Sequence, residues 1–151
     1  MLRTAAREIA VHISFETGVN PMKMDELLET IFDKEYYKTL HDEDSLYSEY
    51  PNIKQLDYIK HLALGVEEHL AELDTYIEKY ANNWNVGRIS RVAVAIMRTS
   101  MFEVMYIPDI PAAASVNEAV ELAKKYEDAE TVSFINGIMG SFIRGEMSFD
   151  A

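Results

Sequence analysis

Apolar residues recur at helical spacing along most of the chain, and no stretch alternates convincingly at strand spacing. Over residues 2–16, Leu2, Ala6, Ile9 and Ile13 fall on one stripe, and Gly18, Asn20 and Pro21 end the segment. Residues 24–38 predict a second, charged helix, with Leu27, Leu28, Ile31 and Phe32 inward and Glu26, Glu29, Asp33 and Glu35 solvated. The stretch 39–50 is acidic, shows no clear period and reads as a loop. Pro51 sits where a helix can start, since a first-turn residue needs no amide donor. From there Leu56, Ile59, Ala63, Val66, Leu70, Leu73 and Ile77 step alternately by three and four, a heptad-like seam. It reads as one long core helix of a bundle, with Gly65 marking a bend or a close helix contact.

Asn82, Asn83, Asn85 and Gly87 predict a turn around Trp84. The helix expected over 88–105 is apolar on nearly every face, so it is buried or covered by a partner. Ile107-Pro-Asp-Ile-Pro111 is a rigid break, because two prolines remove donors and fix φ. Residues 112–126 predict a helix with Val116, Ala119, Val120 and Ala123 inward and Lys124 and Lys125 at its end, where cations suit the helix dipole. A last helix is expected over about 130–143. The fold class is all-α: a compact bundle of about seven helices in a single domain over residues 1–151, with two packed halves at about 1–81 and 88–145.

The chain has 151 residues and no cysteine, which excludes disulfides and Cys-ligated zinc. No uncharged apolar run approaches a membrane span. Arg3, Arg7 and Glu8 interrupt the apolar amino terminus, which argues against a secretory signal and for a cytoplasmic protein. The formal charge of -12 argues on its face against nucleic acid, whose phosphates need Lys and Arg. Nine acids from Asp25 to Glu49, against Lys34 and Lys38, hold most of that charge, so a basic face can survive elsewhere. His12, His41, His61 and His69 form no Glu-x-x-His or His-x-x-x-His pair, and no Gly-rich phosphate loop or nucleophile elbow is present. An enzyme and a cofactor are therefore not expected.

The carboxy-terminal half carries a specific constellation. Met97-Arg98 is followed by Phe102-Glu103 and Ile110-Pro111. Then come Val116-Asn117-Glu118-Ala119-Val120-Glu121-Leu122-Ala123-Lys124-Lys125-Tyr126 and Phe134-Ile135-Asn136-Gly137-Ile138. In order and spacing this run resembles the NusB family, and Ala6-Arg7-Glu8 resembles the family's first helix. The resemblance implies a bacterial transcription antitermination factor. Such a factor binds boxA-type single-stranded leader RNA together with a small-subunit ribosomal protein (NusE), and acts within the RNA polymerase antitermination complex. A NusB-like domain also opens some RNA-modifying methyltransferases, but this chain is too short for their catalytic part.

On the residues themselves, Glu118 and Glu121 lie near a helix start, Lys125 lies four after Glu121, and Asn136-Gly137 suggests tight helix packing. Arg98 and Glu103 are expected to meet in an ion pair. Arg3, Arg7, Ala10 and Ser14 share a face opposite the apolar stripe, where small residues let a phosphate backbone approach arginines. The resemblance adds Glu130 and the aromatics Phe134 and Phe15 to this RNA face, although aromatics at helical spacing are also ordinary core. It places Tyr80, Ala93 and Arg98 on the protein-partner face. Thr4, Ala5 and Ser133 stand where the family is often basic, so RNA contact alone is expected to be weak. Val-Ala-Val-Ala-Ile-Met at 92–97 replaces a charged pair, which predicts a stickier face and a possible homodimer. The alternative is a NusB-fold interaction protein that has lost RNA binding.

Overall fold

The computed structural model describes residues 1–19, 22–82 and 89–147. Among these, eight α-helices and one 3₁₀ turn make up the regular structure, and no strand occurs. The chain falls into two compact units, Met1–Glu68 and His69–Ala151. This division precedes the turn around Trp84; most of that turn, with Gly87, lies outside the described residues, as do Asn20 and Pro21. Asn82 is described and has φ 47°, a left-handed conformation that asparagine tolerates.

The first unit holds α1 (Arg3–Val19), α2 (Met24–Ile31), α3 (Lys34–Glu43) and α4 (Ile53–Glu68). The charged segment expected as one helix over 24–38 is two. Phe32 leaves helical geometry with ψ 8°, and Asp33 caps a new helix by accepting from the Tyr36 amide at 3.1 Å. The expected loop at 39–50 is likewise corrected. The helix α3 runs to Glu43, and Ser45–Tyr47 forms a 3₁₀ turn whose Leu46 amide donates to Asp44. Tyr37, Tyr47, Tyr50 and Phe32 supply its aromatic packing, with ring centroids 5.0 to 6.4 Å apart. Pro51 precedes a reciprocal capping box. Asn52 Oδ1 accepts from the Gln55 amide, Gln55 Oε1 accepts from the Asn52 amide, and both bonds are 2.9 Å.

The helix α1 packs chiefly on α4. Ala6, Ile9 and Ile13 are buried as the stripe requires, but Leu2 precedes the helix and is 76% exposed. The expected single helix through the seam is also corrected. His69, at φ -109° and ψ 20°, breaks it into α4 and α5 (Leu70–Tyr80). Ile59, Ala63, Val66, Leu73 and Ile77 keep the buried positions, whereas Leu70, beside the break, is partly exposed.

The second unit adds α6 (Arg91–Tyr106), α7 (Ala112–Tyr126) and α8 (Ala129–Glu146) to α5. Eleven residues of α6 are buried, which explains its near-continuous apolar pattern. Its three buried polar residues are all bonded. Thr99 donates to the Ala95 carbonyl at 2.8 Å, Ser100 donates to the Ser115 carbonyl at 3.1 Å, and Ser115 donates to Glu103 at 2.6 Å. The last two latch α6 to α7 through groups whose desolvation is compensated. Ser90 and Asp128 cap α6 and α8 by accepting from Ala93 and Thr131 amides. Lys124 pairs with Glu121 at 2.7 Å on α7.

Candidate nucleic-acid and partner interface

Three of the five expected RNA residues lie on α1. Arg3 is exposed at its first position, with its guanidinium 5.5 Å from the centre of the Tyr58 ring. The amino terminus beside it is tied down: the Met1 ammonium meets Glu49 at 2.5 Å, and Gln55 donates to the Met1 carbonyl. Arg7 does not lie on an open face. It is 5% exposed and engaged within the chain, and Ala10 and Ser14 on the same face are buried too. The expected face of α1 is thus covered, because this helix is packed on more than its one apolar stripe. Phe15 is half-buried.

Glu130 and Phe134 belong to the second unit. Glu130 is exposed in the first turn of α8, and Phe134, one turn on, is half-buried and makes contacts within the chain. Asp128 caps that helix, and the hydrogen bond from the Thr131 amide holds its carboxyl below the usual range. The capped start leaves Ser133 and Glu130 at the surface.

The expected partner residues are placed unequally. Ala93 has no exposed surface, and Val94, Ala95, Ile96 and Met97 are also buried. The expectation of a sticky exposed face at 92–97 is therefore corrected: Ala93 to Met97 are core, and Val92 is half-buried. Arg98 is partly accessible but does not meet Glu103. Its Nε and Nη2 donate to the two oxygens of Asp74 at 2.7 and 2.8 Å, a forked pair between α6 and α5. Glu103 is fully buried on the Ser115 hydroxyl instead. Tyr80 is half-buried and donates to Glu146 at 2.5 Å, while Lys79 reaches the same carboxylate at 2.7 Å. Those two donors, Lys79 first, hold the Glu146 carboxyl below its ordinary value.

Sequence reasoning missed the acceptors in these pairs. Asp74 and Glu146 carry no local motif, and only the fold brings them to Arg98 and Tyr80. It also missed Glu72, which gathers Tyr106 (2.6 Å), His69 (3.0 Å) and Tyr76 (3.3 Å). The Tyr106 bond is the foremost cause that lowers the Glu72 carboxyl, and it raises the Tyr106 hydroxyl to about 12. Among the described residues, no group of three or more His, Cys, Asp or Glu is placed to hold a metal ion, and no helix is long and apolar enough to cross a membrane.

The model of the NusB family matches residues 4–144. A transcription antitermination protein NusB from a Thermoanaerobacter species is 36% identical over 146 residues, covering 97% of this chain and 93% of that protein. This chain belongs to the NusB family. The NusB of Clostridium botulinum is also 36% identical, over 95% of this chain and 100% of its own length. NusB relatives are antitermination proteins rather than enzymes. Solved NusB structures share the fold. The protein from T. maritima superposes with a TM-score of 0.79 at 22% identity, over 100% of this chain and 99% of that one. A NusB chain crystallised with NusE and double-stranded RNA gives 0.74 at 22% identity, over 95% of this chain and 98% of that one.

Proposed function

We propose that this protein binds boxA-type single-stranded leader RNA together with the ribosomal protein NusE, in the cytoplasm, and so joins the antitermination complex on elongating RNA polymerase. Near-full-length identity of 36% to antitermination proteins is the observation that carries this reading. The similar fold crystallised with NusE and double-stranded RNA supports it. The chain's own contribution is two weak contacts rather than one strong one. Arg3 and Phe15 in the first unit, and Phe134 and Glu130 in the second, each offer RNA few cations, and Arg98 and Tyr80 offer polar groups already fixed by Asp74 and Glu146. Two weak contacts joined on one protein combine through effective concentration.

Titration of a fluorescent boxA-type RNA, with and without the organism's own NusE, tests this. The expected result is partner-dependent binding that exceeds binding of a scrambled RNA. No binding in either condition would sink it. The burial of Arg7 favours one second reading, a NusB-fold scaffold that binds only protein. Retained NusE binding without any RNA contact would establish that reading. The burial of Ala93 to Met97 removes most of the apolar face on which a homodimer was expected, leaving Val92 half-buried.

A further inference from the structure

A cavity of about 550 Å³ opens along α3, inside the acidic segment. Lys34, Tyr37, Lys38 and His41 line it from one face of the helix, at i, i+3, i+4 and i+7, opposite Tyr47 and Tyr50. Its charge runs against its surroundings. Nine acids and two lysines lie between Asp25 and Glu49; both lysines line the cavity, but of the acids only Asp42 does. An adjoining groove of about 520 Å³ shares Lys34 and Tyr50, adds Lys54 and the exposed Ile53, and contains no acid. Three lysines and a histidine thus line the cavity and its adjoining groove, with Asp42 as the one acid among the lining residues, on a protein of net charge -12.

The cavity's aromatic wall is fixed from behind. Tyr37 donates to the Glu49 carbonyl at 2.8 Å, Tyr50 donates to the Phe32 carbonyl at 2.5 Å, and the Tyr47 hydroxyl bonds His12 Nδ1 at 2.9 Å. With those hydroxyls occupied, the half-buried Tyr50 ring offers the cavity its aromatic surface, whereas Tyr37 and Tyr47 are buried. Lys34 Nζ lies 5.5 Å from the centre of the Tyr50 ring, and among the described residues Lys38 makes an exposed contact to Glu35 at 4.0 Å. A long exposed pair of that kind exchanges readily for a better anion.

We propose that this cavity binds a nucleoside phosphate, with Lys34 and Lys38 on the phosphate and the Tyr50 ring against the base. A bare anion has no use for the aromatic wall, and a bare aromatic none for the lysines. The volume suits one such unit, within the roughly 300–1,000 Å³ of small-ligand pockets. The ligand is a free mononucleotide or one nucleotide of an RNA strand, and both present the same chemistry. The proposal does not depend on RNA contact at α1.

Amide NMR on the intact protein tests it, following residues 34–50 during separate titrations. The probes are uridine and adenosine monophosphate, the corresponding nucleosides, inorganic phosphate, a short single-stranded RNA and a glutamate-rich peptide. Shifts at 34–50 from monophosphates or RNA, beyond those from nucleoside or phosphate alone, are expected. A response to RNA alone or to mononucleotide alone supports the site and identifies its source. The Lys34→Gln/Lys38→Gln double variant should keep its thermal midpoint, since both residues are exposed, and bind at least about tenfold more weakly. The proposal is overturned by silence from both nucleotide sources. An equal response to inorganic phosphate or to the peptide overturns it too, as does unchanged affinity in the double variant.

Discussion

Arg3 and Arg7 stand one turn apart on α1 and act differently. Arg3 is exposed, so Arg3→Ala should weaken RNA binding several-fold in the presence of NusE and leave thermal stability unchanged. Arg7 is buried and engaged, so Arg7→Ala should lower unfolding free energy by about 1–3 kcal/mol, through lost packing and an orphaned partner. Denaturant unfolding and RNA titration on the same two variants separate the roles; equal stability of Arg7→Ala and the parent protein would count against the burial. Periodicity identified the stripe of Ala6, Ile9 and Ile13 but could not show that Arg7, Ala10 and Ser14 were covered as well. A single helix read alone has one obvious core face, and covering of the other face is decided by residues distant in sequence. Arg98 gives the same lesson. Its position in the motif was legible, but its partner Asp74, 24 residues away, was not. Because that pair is forked and largely shielded, Arg98→Ala should cost about 1.5–3 kcal/mol. A double-mutant cycle with Asp74→Ala should show coupling, and strict additivity would refute it.

Helices whose ends carry punctuation were read closely, and those whose breaks lack it were not. The helix over 112–126, bounded by Pro111, matches its expected range, whereas His69 splits the seam with no Gly or Pro beside it. The heptad pattern carries across the break because the burial demand persists on both sides of it. Glycine had a similar outcome. Gly137, expected to permit close helix packing, has open space around a would-be Cβ, while at Gly145 a Cβ would collide with the Tyr80 hydroxyl. Gly145→Ala should therefore displace Tyr80 from Glu146 and destabilise by about 1–3 kcal/mol. Gly137→Ala should stabilise α8 by about 0.5–1 kcal/mol. Paired thermal melts check both signs, and a shared sign would refute the contrast. The Glu72 cluster adds a pH dependence to the second unit. Its folded carboxyl is lowered from 4.5, so it contributes stability above that value and loses it as pH falls through the lowered one. The gap in thermal midpoint between the parent protein and Glu72→Gln should be full near neutrality and close as pH falls below 4.5 and through the lowered value; a gap independent of pH would exclude the linkage.

At the scale of the whole molecule, the net charge of -12 coexists with membership of a family of antitermination proteins. The family was legible because its motif run packs α6, α7 and α8 against one another, and packing constrains residue type at fixed spacing. The residues proposed to meet RNA were less legible, because exposed cations are set by a ligand and not by the fold. Thr4, Ala5 and Ser133 take no phosphate charge, and Arg7 is interior, so Arg3 is left as the accessible cation among the expected RNA residues. Counterion release makes this count measurable. Each phosphate neutralised on a single strand contributes a slope of about -0.7 to log affinity against log salt. Without NusE the slope for boxA-type RNA should stay shallow, about -0.7 to -1.4 for one or two phosphates, and NusE should raise affinity far more than low salt does. A slope steeper than about -3 for the protein alone would require at least four phosphate contacts. The described α1 face cannot supply them, since Arg3 and Arg7 make two cations even if Arg7 turns outward on binding.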